Sequence, residues 1–170
     1  MRVIDVGCAR YGGDYSIERL IEWYRPNELL GFDPAWEDDM LPRPDPGGPT
    51  GPTVATRLLL EAKAAWTYDG EVRFLFDGLN SQVGDAEHWA TVPCVDLARV
   101  VEESPEGPVI LKLDAEGAEY ELLEHLLATG AIARLQRILV EWHPRDQGQR
   151  RRAIEEGMRR EGVVWEQWRH

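Results

Sequence analysis

The sequence predicts an α/β fold: a mostly parallel central sheet with helices on both faces and a β-hairpin, in one domain over residues 1–170. Three observations predict it. Arg2-Val3-Ile4-Asp5-Val6-Gly7, the further glycines Gly12 and Gly13, an amphipathic stretch and Leu29-Leu30-Gly31-Phe32-Asp33 read as strand, glycine turn, helix, strand, acid. That is the opening half of a doubly wound fold. Val109-Ile110-Leu111-Lys112-Leu113 is an apolar run of strand length that turns at Asp114 into an acidic helix mouth, as a strand buried on both faces would. Tyr68-Asp69-Gly70-Glu71 ahead of the alternating residues 72–76 is a hairpin signal.

Taken in order, Asp14 is an N-cap for a helix over 15–24, whose apolar face is Ile17, Leu20, Ile21 and Tyr24. Arg25-Pro26-Asn27 ends it, and the second buried strand follows. Residues 37–53 are charged and then rich in proline and glycine, which leaves a loop where a crossover helix is expected. Residues 57–66 fit helix and strand periodicities alike, but a hairpin needs a first arm, so strand is favoured. Residues 77–89 read as loop, 95–102 as a short helix and 118–129 as a helix closed by Gly130. Residues 136–142 give a strand, 146–160 the last helix before Gly162, and 163–168 a final strand.

Bulk properties exclude several classes. Of the 170 residues, 43% are hydrophobic, so the chain is globular. The net charge of −12 argues against holding a nucleic-acid backbone. Arginines cluster near the C-terminus among glutamates, as on a solvated helix face. Two cysteines, Cys8 and Cys94, give neither a disulfide framework nor a zinc spacing. No signal peptide or membrane-length apolar run is present, so no membrane partner and a cytoplasmic location are expected.

The glycine turn narrows the ligand. Gly7-Cys8-Ala9-Arg10-Tyr11-Gly12 lacks the G-x-G-x-x-G of nicotinamide sites, and Gly13 and Asp14 stand where a P-loop needs Lys and Ser/Thr. A cofactor without phosphate, S-adenosylmethionine, fits better. Its zwitterionic end wants backbone donors at a helix N-terminus and a nearby acid, which Asp5, Gly7 and Ala9 supply. Its ribose wants an acceptor at the end of the second strand, where Asp33 stands. Plain structural roles stay open beside these: a turn hydrogen bond for Asp5, and an Asp-Pro turn for Asp33.

Val3-Ile4-Asp5-Val6-Gly7, Gly31-Phe32-Asp33-Pro34, Ala65-Trp66-Thr67-Tyr68-Asp69-Gly70, Val95-Asp96-Leu97, Leu111-Lys112-Leu113-Asp114-Ala115-Glu116-Gly117-Ala118-Glu119 and Val140-Glu141-Trp142-His143 follow one another along the chain. In that order and rough spacing the chain resembles the FkbM-type methyltransferases. The K-x-D-x-E-G-A-E element is the most specific. The resemblance covers nearly the whole chain. It implies a class I, Rossmann-like methyltransferase fold, S-adenosylmethionine as donor, and O-methylation of a hydroxyl on a sugar or natural-product-like acceptor. It adds Cys8, Pro34, Ala65, Trp66 and Asp114 to the cofactor-binding set. The glycine turn is looser than the family's usual one. The chain also begins at the first strand, without the upstream cap the family often carries. Acceptor recognition is then expected from the Pro-rich loop, the 77–92 loop, a second subunit or a partner protein.

Removal of the acceptor's proton falls to residues at the strand ends. His143 is the expected general base, beside Asp114 and Glu116. Glu141, two residues earlier, points to the same side in an extended segment. Asp114, Glu141 and His143 could instead hold a divalent ion such as Mg²⁺ that acidifies the hydroxyl. Glu119 fits equally an ordinary first-turn acid. Nucleobase amino-methylation is disfavoured, because Asp33-Pro34-Ala35-Trp36 lacks the second proline of that motif. A cofactor-binding or interaction module without the chemistry is the remaining alternative, and the seven tryptophans suit either a partner or a stacked sugar.

Overall fold

The computed structural model describes residues 1–8, 16–35, 56–75, 82–83, 90–143 and 148–169. In chain order the elements are β1 (Arg2–Val6), α1 (Ser16–Tyr24), β2 (Glu28–Phe32), β3 (Arg57–Glu61), β4 (Ala64–Trp66), β5 (Gly70–Leu75), β6 (Gln82–Val83), β7 (Ala90–Asp96), α2 (Leu97–Glu102) and β8 (Val109–Leu113). Then come α3 (Glu119–Thr129), a 3-10 turn (Ala131–Arg134), β9 (Leu135–Val140), α4 (Gly148–Arg160) and β10 (Val164–Gln167). Ala9 and the expected turn glycines Gly12 and Gly13, the N-cap Asp14, the loop at 37–53 and residues 144–147 lie outside the described residues.

Six strands form the central sheet in the order β10-β9-β8-β1-β2-β3. Every pairing in it is parallel. The sheet grows outward from β1 through β2 to β3, and then on β1's other side through β8, β9 and β10. Its switch point is therefore the gap between β1 and β8, where the crevice of an open α/β sheet lies beyond the strands' carboxyl ends.

Alternation along the strands sends side chains to two cores, because successive residues point to opposite faces. On one face Ile17 and Leu20 of α1 pack with Val3, Leu29, Ile110, Leu139 and Trp168. On the other, Val101, Leu122, Leu123, Leu126, Ile154 and Met158 pack with Ile4, Val6, Leu111, Leu113, Ile138 and Val140. Burying each such side chain contributes about 1.5–3 kcal/mol. Gly130, at φ 80°, ends α3 in the left-handed conformation that glycine adopts freely. The arginines of α4 are not merely solvated. Arg150 donates to Glu121 and Glu124 of α3 at 2.6–2.7 Å, and the Arg151 guanidinium lies 4.9 Å from the Trp142 ring centre.

The hairpin differs from its predicted form. The turn at 68–71 does not fold β5 back onto the preceding strand. Instead β4 and β5 flank β7, β4 parallel and β5 antiparallel, in a second sheet ordered β4-β7-β5-β6. The antiparallel partner next along the chain from β5 is β6, through Phe74–Val83 and Leu75–Gln82, inside the stretch read as loop. The strand reading of 57–66 holds, but as β3 and β4 in different sheets. Strand β7 also corrects the sequence reading, which begins a helix at Val95. It runs through Pro93, which pairs with Glu71 of β5 but lies beyond the register with β4, so the missing N–H faces an edge. Asp96 ends it and caps α2, accepting from the Ala98 N–H at 2.9 Å. Among the described residues no helix is long and apolar enough to cross a membrane.

Candidate functional site

The switch point is built from the ends of β1 and β8. Gly7 follows β1 with φ +77°, and a Cβ there would sit 1.9 Å from the Asp114 carbonyl oxygen. Only glycine permits that approach. The Gly7 N–H donates to the Phe32 carbonyl at 2.9 Å and the Asp114 N–H to the Val6 carbonyl at 3.2 Å. The turn is thus pinned to both neighbouring strands.

Beneath it lies a buried charge. Lys112 and Asp5 face each other across the β8–β1 register, and both are fully enclosed. Lys112 Nζ donates to the Gly7 and Val6 carbonyls at 2.7 and 3.3 Å. It stands 3.2 Å from Asp5 Oδ1 and 3.4 Å from Asp114 Oδ2. Burial works against the ammonium, but the charges of Asp5 and Asp114 outweigh it and hold its pKa above the ordinary lysine value. The other Asp5 oxygen accepts from Ser16 Oγ at 2.8 Å. Asp5 therefore ties α1 to β1 from the interior, a contact different from the turn hydrogen bond left open for it in the sequence. Cys8 is also interior, and burial, with Asp5 and Asp33 nearby, pushes its thiol up well above the ordinary value. It packs as a small apolar side chain.

Above the strand ends the structure brings together four predicted residues. His143 Nε2 lies 3.3 Å from Glu116 Oε2, 3.8 Å from Asp114 Oδ1 and 4.0 Å from Glu141 Oε1. Its Nδ1 lies 3.3 Å from Glu119 Oε1. Burial would lower the imidazole pKa, but the hydrogen bond and charge of Glu119, with the charges of Glu116 and Asp114, push it up to about 9. Glu116 is raised by burial, partly opposed by His143 and reinforced by Asp114, Glu141 and Glu119.

Glu116 also has φ 49°, a left-handed conformation that costs a non-glycine residue roughly 1–3 kcal/mol and recurs at functional sites. Its carboxylate completes the group able to hold a cation. Asp114, Glu116 and His143 each offer an atom within 4.8 Å of the others. Glu116 thus stands where the sequence placed Glu141 as third ligand, and Glu141 borders the group. Two hard oxygens and an imidazole suit Mg²⁺ or Mn²⁺. Their 3.3 and 3.8 Å separations lie in the about 3–4 Å that ligands around a cation at about 2.1 Å span.

A model of the Methyltransferase FkbM domain matches residues 55–162, well over half of the chain. The chain belongs to the FkbM methyltransferase family. No curated protein and no solved structure matches it. The matched stretch holds the acidic loop after β8 and the Glu141-Trp142-His143 segment, while β1, β2 and the glycine turn precede it. Membership supports methyltransferase activity in general terms, and in this FkbM chain Asp114, Glu116, Glu141 and His143 cluster beside the switch point.

The other predicted residues sit apart from that cluster or extend it. Asp33 follows β2 and accepts from the Ala35 N–H at 2.8 Å, so one oxygen makes the Asp-Pro turn. Pro34 is in that turn. Ala65 and Trp66 lie on β4, in register with Val95 and Asp96. Sequence reasoning missed Lys112 and set Glu119 aside. A lysine inside an otherwise apolar strand was the available signal for the first.

Proposed function

We propose that the protein transfers a methyl group from S-adenosylmethionine to a hydroxyl of a small acceptor such as a sugar or natural-product-like molecule, with a divalent cation at Asp114, Glu116 and His143. The observation carrying this reading is the convergence of those three side chains at the carboxyl ends of β8 and β9, next to the switch point at Gly7. When bound, the donor supplies an electrophilic methyl carbon, and the cation would lower the pKa of a coordinated hydroxyl.

The chain's own residues do the rest. Gly7 and Lys112 hold the turn that borders the donor crevice. Asp33, just past the carboxyl end of β2, is the ribose acceptor of this reading. Asp114 joins the two halves, with Oδ2 toward Lys112 and Oδ1 toward His143. Four carboxylates around one imidazole leave excess negative charge, which favours a bound cation; the cation would acidify the hydroxyl, and Glu116 is placed to take its proton. Orientation of the acceptor oxygen for in-line displacement then supplies most of the acceleration. Acceptor contacts beyond the described residues come from the remaining loops, a second copy or a partner protein.

The test is release of S-adenosylhomocysteine from methyl-labelled donor with a panel of hydroxylated acceptors, with Mg²⁺ or with chelator. Turnover that needs the cation and drops at least 100-fold in Asp114→Asn and His143→Ala supports the reading. Turnover unchanged in both variants would sink the site assignment, and no product with any acceptor class would favour a non-catalytic module.

A further inference from the structure

We infer that Glu119 is the positioning residue of this site: it dictates which imidazole nitrogen of His143 faces Asp114 and Glu116, and it locks the loop after β8 to the segment after β9. The inference rests on the proposed cation site only for one of its two tests.

Glu119 opens α3, where an acid is ordinarily a solvent-exposed partner of the helix dipole. Here it is fully buried, and three donors converge on it. Oε2 accepts from the Gly117 N–H at 2.7 Å. Oε1 accepts from the His143 backbone N–H at 2.7 Å and faces His143 Nδ1 at 3.3 Å. A carboxylate only accepts, so the nitrogen facing it carries the proton. Nδ1 is therefore the donor, and Nε2 is the atom presented to Glu116 and Asp114. The next residue helps: Tyr120 Oη donates to the His143 carbonyl at 3.1 Å. Two consecutive residues of α3 thus hold the ring and both main-chain polar groups of His143.

The arrangement has the form of a carboxylate behind a metal-ligating imidazole, where the outer partner fixes ring orientation and its removal costs about 10–100-fold in metal affinity. Glu119 also spans the two segments that supply the ligands. Asp114 and Glu116 come from the β8 side, joined through Gly117, and His143 comes from the β9 side. An acceptor-free residue at 119 releases both.

The experiment compares wild type, Glu119→Leu and Glu119→Gln, using ¹⁵N-histidine NMR of the ion-free proteins and Mn²⁺ titration followed by electron paramagnetic resonance. Wild type should show a slowly exchanging, downfield Nδ1–H proton for His143. Glu119→Leu, of similar size but without an acceptor, should lose it and bind Mn²⁺ at least tenfold more weakly. Glu119→Gln should keep the resonance, because its single oxygen can still take both His143 donors, and should bind Mn²⁺ more tightly than Glu119→Leu but more weakly than wild type, because its amide NH2 cannot accept from the Gly117 N–H. A purely structural role would lower the melting temperature of Glu119→Leu while leaving the resonance and Mn²⁺ affinity of the folded fraction unchanged, and that result overturns the inference. Should leucine prevent folding, Glu119→Met is read the same way. Failure of wild type to bind Mn²⁺ counts against the proposed cation, and the His143 resonance alone then decides this inference.

Discussion

Replacing Lys112 by methionine removes the ammonium between Asp5 and Asp114 while nearly keeping side-chain volume, so no cavity term enters. Lys112 and Asp5 are both fully enclosed, and the ammonium meets Asp5 at 3.2 Å and the Gly7 carbonyl at 2.7 Å. Breaking a buried pair by deleting one partner costs about 3–5 kcal/mol, since the other charge stays behind. Against a total stability of about 5–15 kcal/mol that is severe, and at about 2–4 °C per kcal/mol it lowers the melting temperature by about 10 °C. The sign of the pH dependence follows. Without Lys112, Asp5 is a buried acid whose folded pKa rises above the unfolded value, so the folded state binds more protons and stability falls as pH rises. The deficit of Lys112→Met is then smaller at pH 5 than at pH 8. Asp5→Asn added to Lys112→Met removes the stranded charge and should recover on the order of 1–3 kcal/mol. Urea denaturation at the two pH values reads all of this. A Lys112→Met protein within about 1 kcal/mol of wild type, or one equally impaired at both pH values, would refute the reasoning.

Other expectations follow from the same geometry. Gly7→Ala places a Cβ 1.9 Å from the Asp114 carbonyl at φ +77°, and should cost more than about 3 kcal/mol; normal denaturation would show that the turn can move. Glu116→Gly relieves the φ of 49° and should leave stability unchanged or up to about 1 kcal/mol higher while weakening Mn²⁺ binding. A clear loss of stability would mean that the left-handed carboxylate is a structural contact. In the ion-free protein, His143 at about 9 stabilises the fold fully below the unfolded value near 6.5, and that contribution is lost as pH rises through 9. The unfolding free energy, read by urea denaturation, should therefore fall between those values by on the order of 3 kcal/mol, and His143→Gln should flatten the fall.

What the sequence made legible were features carried by local pattern. β1, β2, β8 and β9 are mainly apolar, strand-length runs bounded by turn residues, and Gly130 closes α3 at the expected place. The cluster was legible for the same reason: Asp114 lies just past β8 and Glu141 and His143 just past β9, so neighbouring parallel strands bring them together. Pairing between distant strands was not legible. The turn at 68–71 looks like a hairpin from within its own few residues, and only the position of β7 shows otherwise. Pro93 hid β7, because a proline argues against a strand unless one side is an edge. Lys112 and Glu119 were misjudged because the partners that give them meaning, Asp5 and His143, come from other strands. Glu119 in particular has the sequence appearance of any first-turn acid, and only its complete burial separates it.

The central claim is that the crevice at the ends of β1, β2 and β8 holds S-adenosylmethionine. Calorimetric titration of the purified protein with S-adenosylmethionine and S-adenosylhomocysteine tests it directly, with Asp33→Asn as the control. Asparagine keeps an oxygen for the Ala35 N–H and so preserves the turn while removing the carboxylate proposed to accept from the ribose. The account predicts binding on the order of micromolar to wild type and at least a tenfold loss in Asp33→Asn. No heat with either ligand, or equal affinity in the variant, would contradict it.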